Sequence, residues 1–389
     1  MPGGPGRSCP RPFLAVTWAV NVCINAFYIA PAPVFPEMIP DLGITKALAG
    51  SLISFYLVAI LLLQLPAGFV IDRFDPRPIV VAAGFGLTGL SAVMTTFPNY
   101  DALLLLRVLA GIPVAFIFVP SAFLVSRAFE HTPGRAVGMF LSAPPAGVAL
   151  GTLLAPLLAA ALGWPAVFVA FNLPLLGLLP AFYRLARGLP PRAPEAFGLG
   201  DYLQAFRNRE LWKVGLAFAC SYAAYIFFAS WTPTYLTVIG LEDLALVGVI
   251  AATIPAVGIL SRPLGGHLAE TRFARDKRWV PGLAFLGLLL VSAFTPLFAL
   301  GGLPLLVAAG FSAQFPFSVY YLFSAQVMPK RFGGSAYAFM NTVSLVGGAI
   351  SPALAGLLVD VTGAFVAAFA MMAVNATLGL GLVAVVRER

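Results

Sequence analysis

No charged residue occurs in the run LAFLGLLLVSAFTPLFAL, which covers positions 283–300. A second run, VVAAGFGLTGLSAVM at positions 80–94, is equally free of charge. Neither run shows the alternation of apolar and polar residues that is typical of the ~10-residue strands of a transmembrane barrel. Unbroken apolar stretches of this length are typical of helices that cross a bilayer. The two runs therefore predict an all-α membrane protein.

The composition of the whole chain supports this interpretation. Of 389 residues, 60% are hydrophobic and 10% are charged, against about 45–50% and about 25% in soluble domains. At about 30 residues for each span and its connection, the length accommodates about twelve spans. The predicted spans lie at 12–32, 46–70, 78–96, 101–128, 134–162, 164–185, 210–238, 241–269, 279–298, 303–328, 333–361 and 364–386.

A polar, proline-rich interval at 187–209 separates the first six spans from the last six. It predicts an N-terminal bundle at 1–186, a cytoplasmic linker at 187–209 and a C-terminal bundle at 210–389. If both termini are cytoplasmic, only Lys46, Arg107 and Arg262 of the 23 Lys and Arg residues lie away from the cytoplasmic side, as the positive-inside rule requires. We therefore expect a multi-pass protein of the cell membrane, embedded in the lipid bilayer, with both ends in the cytoplasm.

The two halves carry the same motifs in the same order. QLPAGFVID at 64–72 and RPLGGHLAE at 262–270 follow equivalent spans, and GRAVGMF at 134–140 corresponds to GSAYAFM at 334–340. Each pair is separated by about 200 residues, which is the signature of an internal repeat in a transporter. The sequence thus predicts two pseudo-symmetric six-helix bundles.

These motifs resemble those of the major facilitator superfamily. GFVIDRFDPR at 68–77 is similar to the family's signature G-x-x-x-D-R-x-G-R-[RK], with Asp75 and Pro76 departing from it. RVLAG at 107–111, WTPTYL at 231–236 and GGAISP at 347–352 match further family patterns, so the resemblance covers most of the chain. It implies a twelve-helix fold whose two halves rock about a central solute site to give alternating access.

The resemblance also implies a gate in the loop after the second span. Gly68 would let helices approach closely, and Asp72, Arg73 and Arg77 could form charge-assisted bonds across the cytoplasmic face. Glu270 stands at the corresponding position of the second half. The alternative is that these charges only anchor helix ends at the membrane interface.

Polar residues within spans mark the predicted solute cavity, because a polar group in hydrocarbon must face protein or water. Arg262 lies eight residues before Glu270, about 12 Å from the helix end, in a segment similar to organic-anion transporters whose Arg binds the anion. Arg107 matches an Arg that family members use for proton coupling or substrate contact, although Asp101 could pair with it locally. The other candidate substrate-binding residues are Asn21, Asn25, Tyr28, Gln64, Tyr225, Gln314, Tyr321 and Asn341.

For these candidates a structural interpretation stays open. The polar side chains could form helix-to-helix hydrogen bonds, and Arg262 could pair with helix-end carbonyls or a loop acid. All fifteen Asp and Glu residues fall in loops or near span ends. A cavity with arginine and no carboxylate is electropositive and should prefer anions.

The sequence therefore predicts a monomeric transporter, secondary active or facilitative, of a small anionic organic solute, with a coupling proton or other ion left open. The alternative is an exporter of hydrophobic or amphipathic compounds, favoured by Phe227, Phe228, Phe315 and Phe317. An enzyme is not expected, because hydrolysis would need paired acids, a Ser–His pair or a metal set within the membrane. No metal, cofactor or nucleic-acid partner is expected.

Overall fold

The computed structural model describes residues 10–97, 99–129, 136, 139–189, 207–297, 299–327 and 333–386. In the first half, the helices with described ends are α1 (Pro10–Ile29), α2 (Phe35–Leu42), α3 (Lys46–Arg73), α4 (Pro76–Met94), α5 (Tyr100–Ala128), α6 (Ala143–Leu162), α7 (Trp164–Ala170) and α8 (Leu175–Ala186). In the second half they are α9 (Arg209–Val238), α10 (Leu244–Ala256), α11 (Gly258–Glu270), α12 (Trp279–Phe294), α13 (Leu303–Gln314), α14 (Phe317–Val327), α15 (Gly333–Thr362) and α16 (Phe365–Ala384).

These helices build twelve segments that are long and apolar enough to cross a membrane, counted over the described residues. The predicted number of spans and the all-helical fold class are confirmed. Because the number is even, both chain ends lie on one side, which we call the terminal face; the opposite side is the distal face. The linker prediction rests largely on 190–206, which lie outside the described residues.

Several spans are interrupted where the sequence predicts continuous helices, the fifth by a turn at Leu141 and Ser142 just before α6. The first span passes through a 3₁₀ turn at Ala32–Val34 into α2, and the sixth breaks between α7 and α8. The eighth breaks at Val257 between α10 and α11, and the tenth between α13 and α14. A proline stands at or beside each break, and proline has no N–H to continue the helical hydrogen bonds.

Side-chain caps set the start of several spans. An oxygen of each capping residue accepts a hydrogen bond from a backbone N–H of the first turn, a group with no partner inside the helix. The capping residues are Thr45 for α3, Asp75 for α4, Asn99 for α5, Asn208 for α9 and Asp243 for α10.

Glycine allows helices within each bundle to pack closely. A Cβ atom at Gly147 of α6 would lie 2.5 Å from the backbone oxygen of Val22 in α1. Gly347 of α15 packs in the same way against the backbone of Ala219 in α9. Each of these glycines lies thirteen residues after the start of a paired motif, at 134–140 and at 334–340, so the sequence repeat corresponds to the same helix contact in both bundles.

The two bundles meet along α3 against α15 and along α6 against α10. At the distal end, the Asp360 carboxylate at the end of α15 accepts hydrogen bonds from the backbone N–H groups of Lys46 (3.1 Å) and Ala47 (2.7 Å). The rings of Phe35 and Trp231, one from each bundle, lie 5.4 Å apart. The bundles are therefore in contact on the distal side.

Each bundle has one ion pair at its terminal face, and the two ion pairs occupy equivalent positions in the two bundles. Arg77 binds Asp75 at 2.8 Å and donates to the backbone oxygen of Ala186, while Arg278 binds Asp276 at 2.9 Å and donates to that of Val386. Partial burial raises the pKa of Asp75, but the hydrogen bonds from Arg77 outweigh it and leave the pKa below its usual value. Hydrogen bonds from Arg278 lower the pKa of Asp276.

Candidate functional site

A cavity of about 420 Å³ lies between the two bundles. Eight of its lining residues are aromatic, namely Tyr28, Tyr56, Phe118, Phe218, Tyr222, Tyr225, Phe317 and Tyr321. Six carry amide or serine hydroxyl groups, namely Asn25, Gln64, Ser142, Ser318, Asn341 and Ser344. Among the described residues that line it, Arg262 is the single charged side chain.

Arg262 is held in the cavity wall by an amide and two rings. Its Nη2 donates to Oε1 of Gln314 at 2.7 Å. Its guanidinium carbon lies 4.6 Å from the ring centre of Phe317 and 5.6 Å from that of Tyr225, both within cation–π range. These partners orient the guanidinium without cancelling its charge.

Gln314 is itself fixed by the break in the eighth span. Its Nε2 donates to the backbone oxygens of Ile254 at 2.9 Å and Gly310 at 3.2 Å. Because both amide protons are directed at carbonyls, Oε1 is left to accept from Arg262. Gln314 is fully buried and does not line the cavity, so it positions the arginine from behind.

Most of the predicted substrate-binding residues lie on the cavity wall. Asn25, Tyr28, Gln64, Tyr225, Arg262, Tyr321 and Asn341 line it. Asn341 also donates to Oε1 of Gln64 at 2.8 Å, a hydrogen bond that crosses from one bundle to the other. The repeat thus places a neutral Gln64 and a charged Arg262 at equivalent positions of the same cavity.

Arg107 does not reach the cavity, which corrects its predicted contact with the solute. It is fully buried, and it donates to the backbone oxygens of Leu52 (3.1 Å), Phe27 (3.1 Å) and Tyr28 (2.7 Å). Its guanidinium carbon lies 4.3 Å from the ring centre of Tyr56.

The physical reason is the proline that follows α1. In a continued helix the carbonyl of Phe27 would accept from residue 31, which is proline and has no N–H. The guanidinium supplies the missing donor, and the C-terminal end of a helix favours a cation. Asp101, the predicted local alternative, is exposed.

The other predicted residues are placed as follows. Asn21 is fully buried in α1, where its amide donates to the backbone oxygen of Thr17 at 2.9 Å, and it does not line the cavity. Glu270 is exposed at the end of α11. Arg77 bonds within the first bundle, and the side chains of Asp72 and Arg73 and the packing of Gly68 lie outside the described residues. The gating role of this loop stays a prediction.

Sequence reasoning missed part of the aromatic wall. Tyr56, Phe218 and Tyr222 line the cavity but were not among the candidates. Phe218, Tyr222 and Tyr225 are spaced by four and three residues along α9 and form one helix face. That spacing could have been noticed, but in an apolar span it also fits ordinary packing, as Phe227 and Phe228 show by contacting Phe369.

In the described part of the chain, twelve spans surround a central cavity with one charged lining residue, an architecture typical of membrane transporters. The chain belongs to the Major Facilitator Superfamily, whose sequence profile matches residues 17–352. A probable sulfoacetate transporter of Cupriavidus necator is 25% identical, over 97% of this chain and 91% of the relative. The hexuronate transporter of Bacillus subtilis is 24% identical, over 92% of this chain and 89% of the relative.

The fold has a close counterpart among solved structures. A bacterial homologue of the human lysosomal transporter Spinster, crystallised in an inward-facing and unoccupied conformation, superposes with a TM-score of 0.78 and 17% identity. The match covers 99% of this chain and 95% of the other. The predicted family and its two-bundle fold are confirmed.

Proposed function

We propose that this chain carries a small organic anion across the cell membrane and that the anionic group binds Arg262. The observation that carries the proposal is the charge of the cavity, in which Arg262 is the one charged side chain among the described lining residues. A charge removed from bulk water needs a partner of opposite charge. Gln314 and the two rings hold the guanidinium in the cavity wall, where an anionic group of the solute would meet it.

The relatives support the same substrate class. Two of them are named for sulfoacetate and hexuronate, both of which are anions of organic acids. The alternative, an exporter of hydrophobic compounds, draws less support, because Phe227 and Phe228 pack inside the second bundle and do not line the cavity.

Access to the site would alternate between the two faces. Asp360, Lys46 and Ala47 join the bundles on the distal side, while lining residues such as Gln64 and Phe218 lie in the terminal halves of their helices. We assign the terminal face to the cytoplasm from the distribution of Lys and Arg, so this conformation would face inward. The whole cavity belongs to one chain, which suits a monomeric transport unit that moves its solute without converting it.

Ligand-dependent thermal unfolding of the purified protein tests the proposal. The probes are sulfoacetate, glucuronate, glucose and the lipophilic cation tetraphenylphosphonium. A ligand at ~100 times its Kd stabilises the folded state by about 2.7 kcal/mol. We expect an anion to raise the Tm of the wild type and to lose this effect in Arg262→Gln.

Lys213→Gln is the matched control. It removes the same charge from a residue of α9 that bonds Glu210 and does not line the cavity, so it should keep the anion response. Stabilisation of both the wild type and Arg262→Gln by tetraphenylphosphonium, with no anion response, would contradict the proposal and favour the exporter.

A further inference from the structure

Hydrogen-bonding groups on the cavity wall are mostly engaged within the protein. The hydroxyls of Ser142, Ser318 and Ser344 donate to the backbone oxygens of Met139 (2.7 Å), Arg262 (2.8 Å) and Asn341 (2.8 Å). Three of the polar lining side chains therefore have no proton left to offer a solute.

Two of the three lining amides each donate one of their protons within the protein. Asn25 donates to the backbone oxygen of Asn21 at 2.8 Å. Asn341 donates to Gln64, and this hydrogen bond also occupies an acceptor site on Oε1 of Gln64. A polyhydroxylated acid entering this cavity would give up its hydrogen bonds to water and would meet serine and amide protons that are in part already donated within the protein.

Ring surface, by contrast, is abundant and comes from both bundles. Tyr28 and Phe118 belong to the first bundle, and Phe218, Tyr222 and Tyr321 to the second. Tyr222 lies 5.9 Å from Tyr225 and 6.0 Å from Phe317 between ring centres, so the rings form one cluster beside Arg262. Such a cluster favours a ligand that presents a flat π face.

Unpartnered phenol groups lie in the same wall. The hydroxyls of Tyr28, Tyr56 and Tyr225 are buried and have no hydrogen-bond partner among the described residues. Each of these side chains is at most 5% exposed. Their hydroxyl oxygens have almost no accessible surface, so these tyrosines present their rings, and not their hydroxyls, to the cavity.

We propose that the solute is a planar aromatic monoanion, a carboxylate or sulfonate on an unsaturated ring, and not a polyhydroxylated sugar acid. The acid group would bind Arg262, and the ring would lie among the aromatic side chains of both bundles. This inference rests on the proposed function and specifies its substrate class.

A ligand series on the wild-type protein tests it without any mutation. The probes are benzoate, cyclohexanecarboxylate, gluconate and benzamide, with binding measured from the shift in Tm against concentration. Cyclohexanecarboxylate keeps the charge and ring size of benzoate but has no π face, and benzamide keeps the flat ring but has no charge. We expect benzoate to bind about threefold to tenfold more tightly than cyclohexanecarboxylate, with gluconate and benzamide weaker still.

Two ring-removing variants locate the effect. Tyr222→Leu and Phe118→Leu should each reduce the preference for benzoate over cyclohexanecarboxylate. Phe118 is partly exposed and tolerates the change more readily than a fully buried ring. Phe227→Leu, which removes a ring of α9 packed against Phe369 away from the cavity, is the matched control and should keep the preference.

The outcomes separate this inference from the proposed function. Binding of gluconate in preference to benzoate, or equal binding of benzoate and cyclohexanecarboxylate, would overturn the aromatic class while leaving an anion transporter. A preference for benzoate that neither Tyr222→Leu nor Phe118→Leu reduces would also overturn it. If benzamide binds as well as benzoate and no anion distinguishes the wild type from Arg262→Gln, the proposed function itself fails.

Discussion

The two arginines within the spans have different surroundings, although the sequence predicts the same kind of role for both. Arg107 and Arg262 both stand in apolar surroundings, and the sequence gives each a role in binding. Their difference lies in what surrounds them. Arg107 meets two backbone carbonyls at the proline-terminated end of α1 and a third in α3, whereas Arg262 meets the amide of Gln314 and lines the cavity. The carbonyls that an arginine meets depend on tertiary packing. The sequence alone therefore could not distinguish the structural role of Arg107 from the cavity position of Arg262.

Gln314 allows the charge of the cavity to be changed with little change in shape. We expect Gln314→Glu to place a carboxylate beside Arg262, form an ion pair and weaken anion binding by more than about tenfold. Titration of Tm against sulfoacetate or benzoate measures the effect.

Gln314→Leu is the companion variant, because it removes the contact with Arg262 and the amide's hydrogen bonds to Ile254 and Gly310 without adding charge. It should lower the stability of the protein by about 1–3 kcal/mol and retain more anion binding than Gln314→Glu. Equal anion affinity in the wild type and Gln314→Glu would show that the cavity charge does not select the solute.

At the scale of elements, the sequence predicts the number of spans and most of their ends. It does not predict the breaks in the first, fifth, sixth, eighth and tenth spans. Pro113 and Pro120 lie inside α5, and Pro233 lies inside α9, without ending those helices. A proline is accommodated where neighbouring groups satisfy the freed carbonyls. Whether neighbouring groups do so depends on the packing of the bundle. The sequence therefore does not distinguish a proline that breaks a span from one that the helix accommodates.

The contact of α15 with α3 predicts a specific effect on the distal closure. A carboxylate is favoured at a helix N-terminus, and losing such a cap costs about 0.5–2 kcal/mol. Asp360 caps α3 from the opposite bundle, so Asp360→Ala should weaken the closed state and not only the helix. We expect the population with separated distal ends to rise by about threefold or more.

Spin labels at Thr96 and Gly301, exposed positions at the distal ends of the two bundles, report this change. Double electron–electron resonance measures the distribution of distances between the two labels. Asp243→Ala is the control, because Asp243 caps α10 from within its own bundle. It should leave the distance distribution unchanged. If Asp360→Ala gives the wild-type distribution, the cap contributes nothing to closure.

For the whole molecule, internal repetition was the most informative feature of the sequence. The repeated glycines occupy equivalent contacts in the two bundles, and the pairs Asp75–Arg77 and Asp276–Arg278 occupy equivalent corners. The functional site departs from the repeat, since Gln64 is neutral where Arg262 is charged. Repetition therefore predicts the scaffold, whereas the chemistry of the cavity depends on where the two copies differ.

That difference bears on how the membrane voltage would act on the cycle. When the empty protein reorients, the positive charge of Arg262 changes its position in the electric field, which is worth up to about 2.3 kcal/mol per 100 mV for a full crossing. When a monoanion is bound, the cavity is neutral and the field has little to act on. Exchange of labelled for unlabelled solute in proteoliposomes should thus be insensitive to a potassium diffusion potential, while net flux should follow it. If exchange varies with voltage as steeply as net flux, a further charge travels with the solute. The resting voltage of the cell would then drive the loaded carrier and not the empty one.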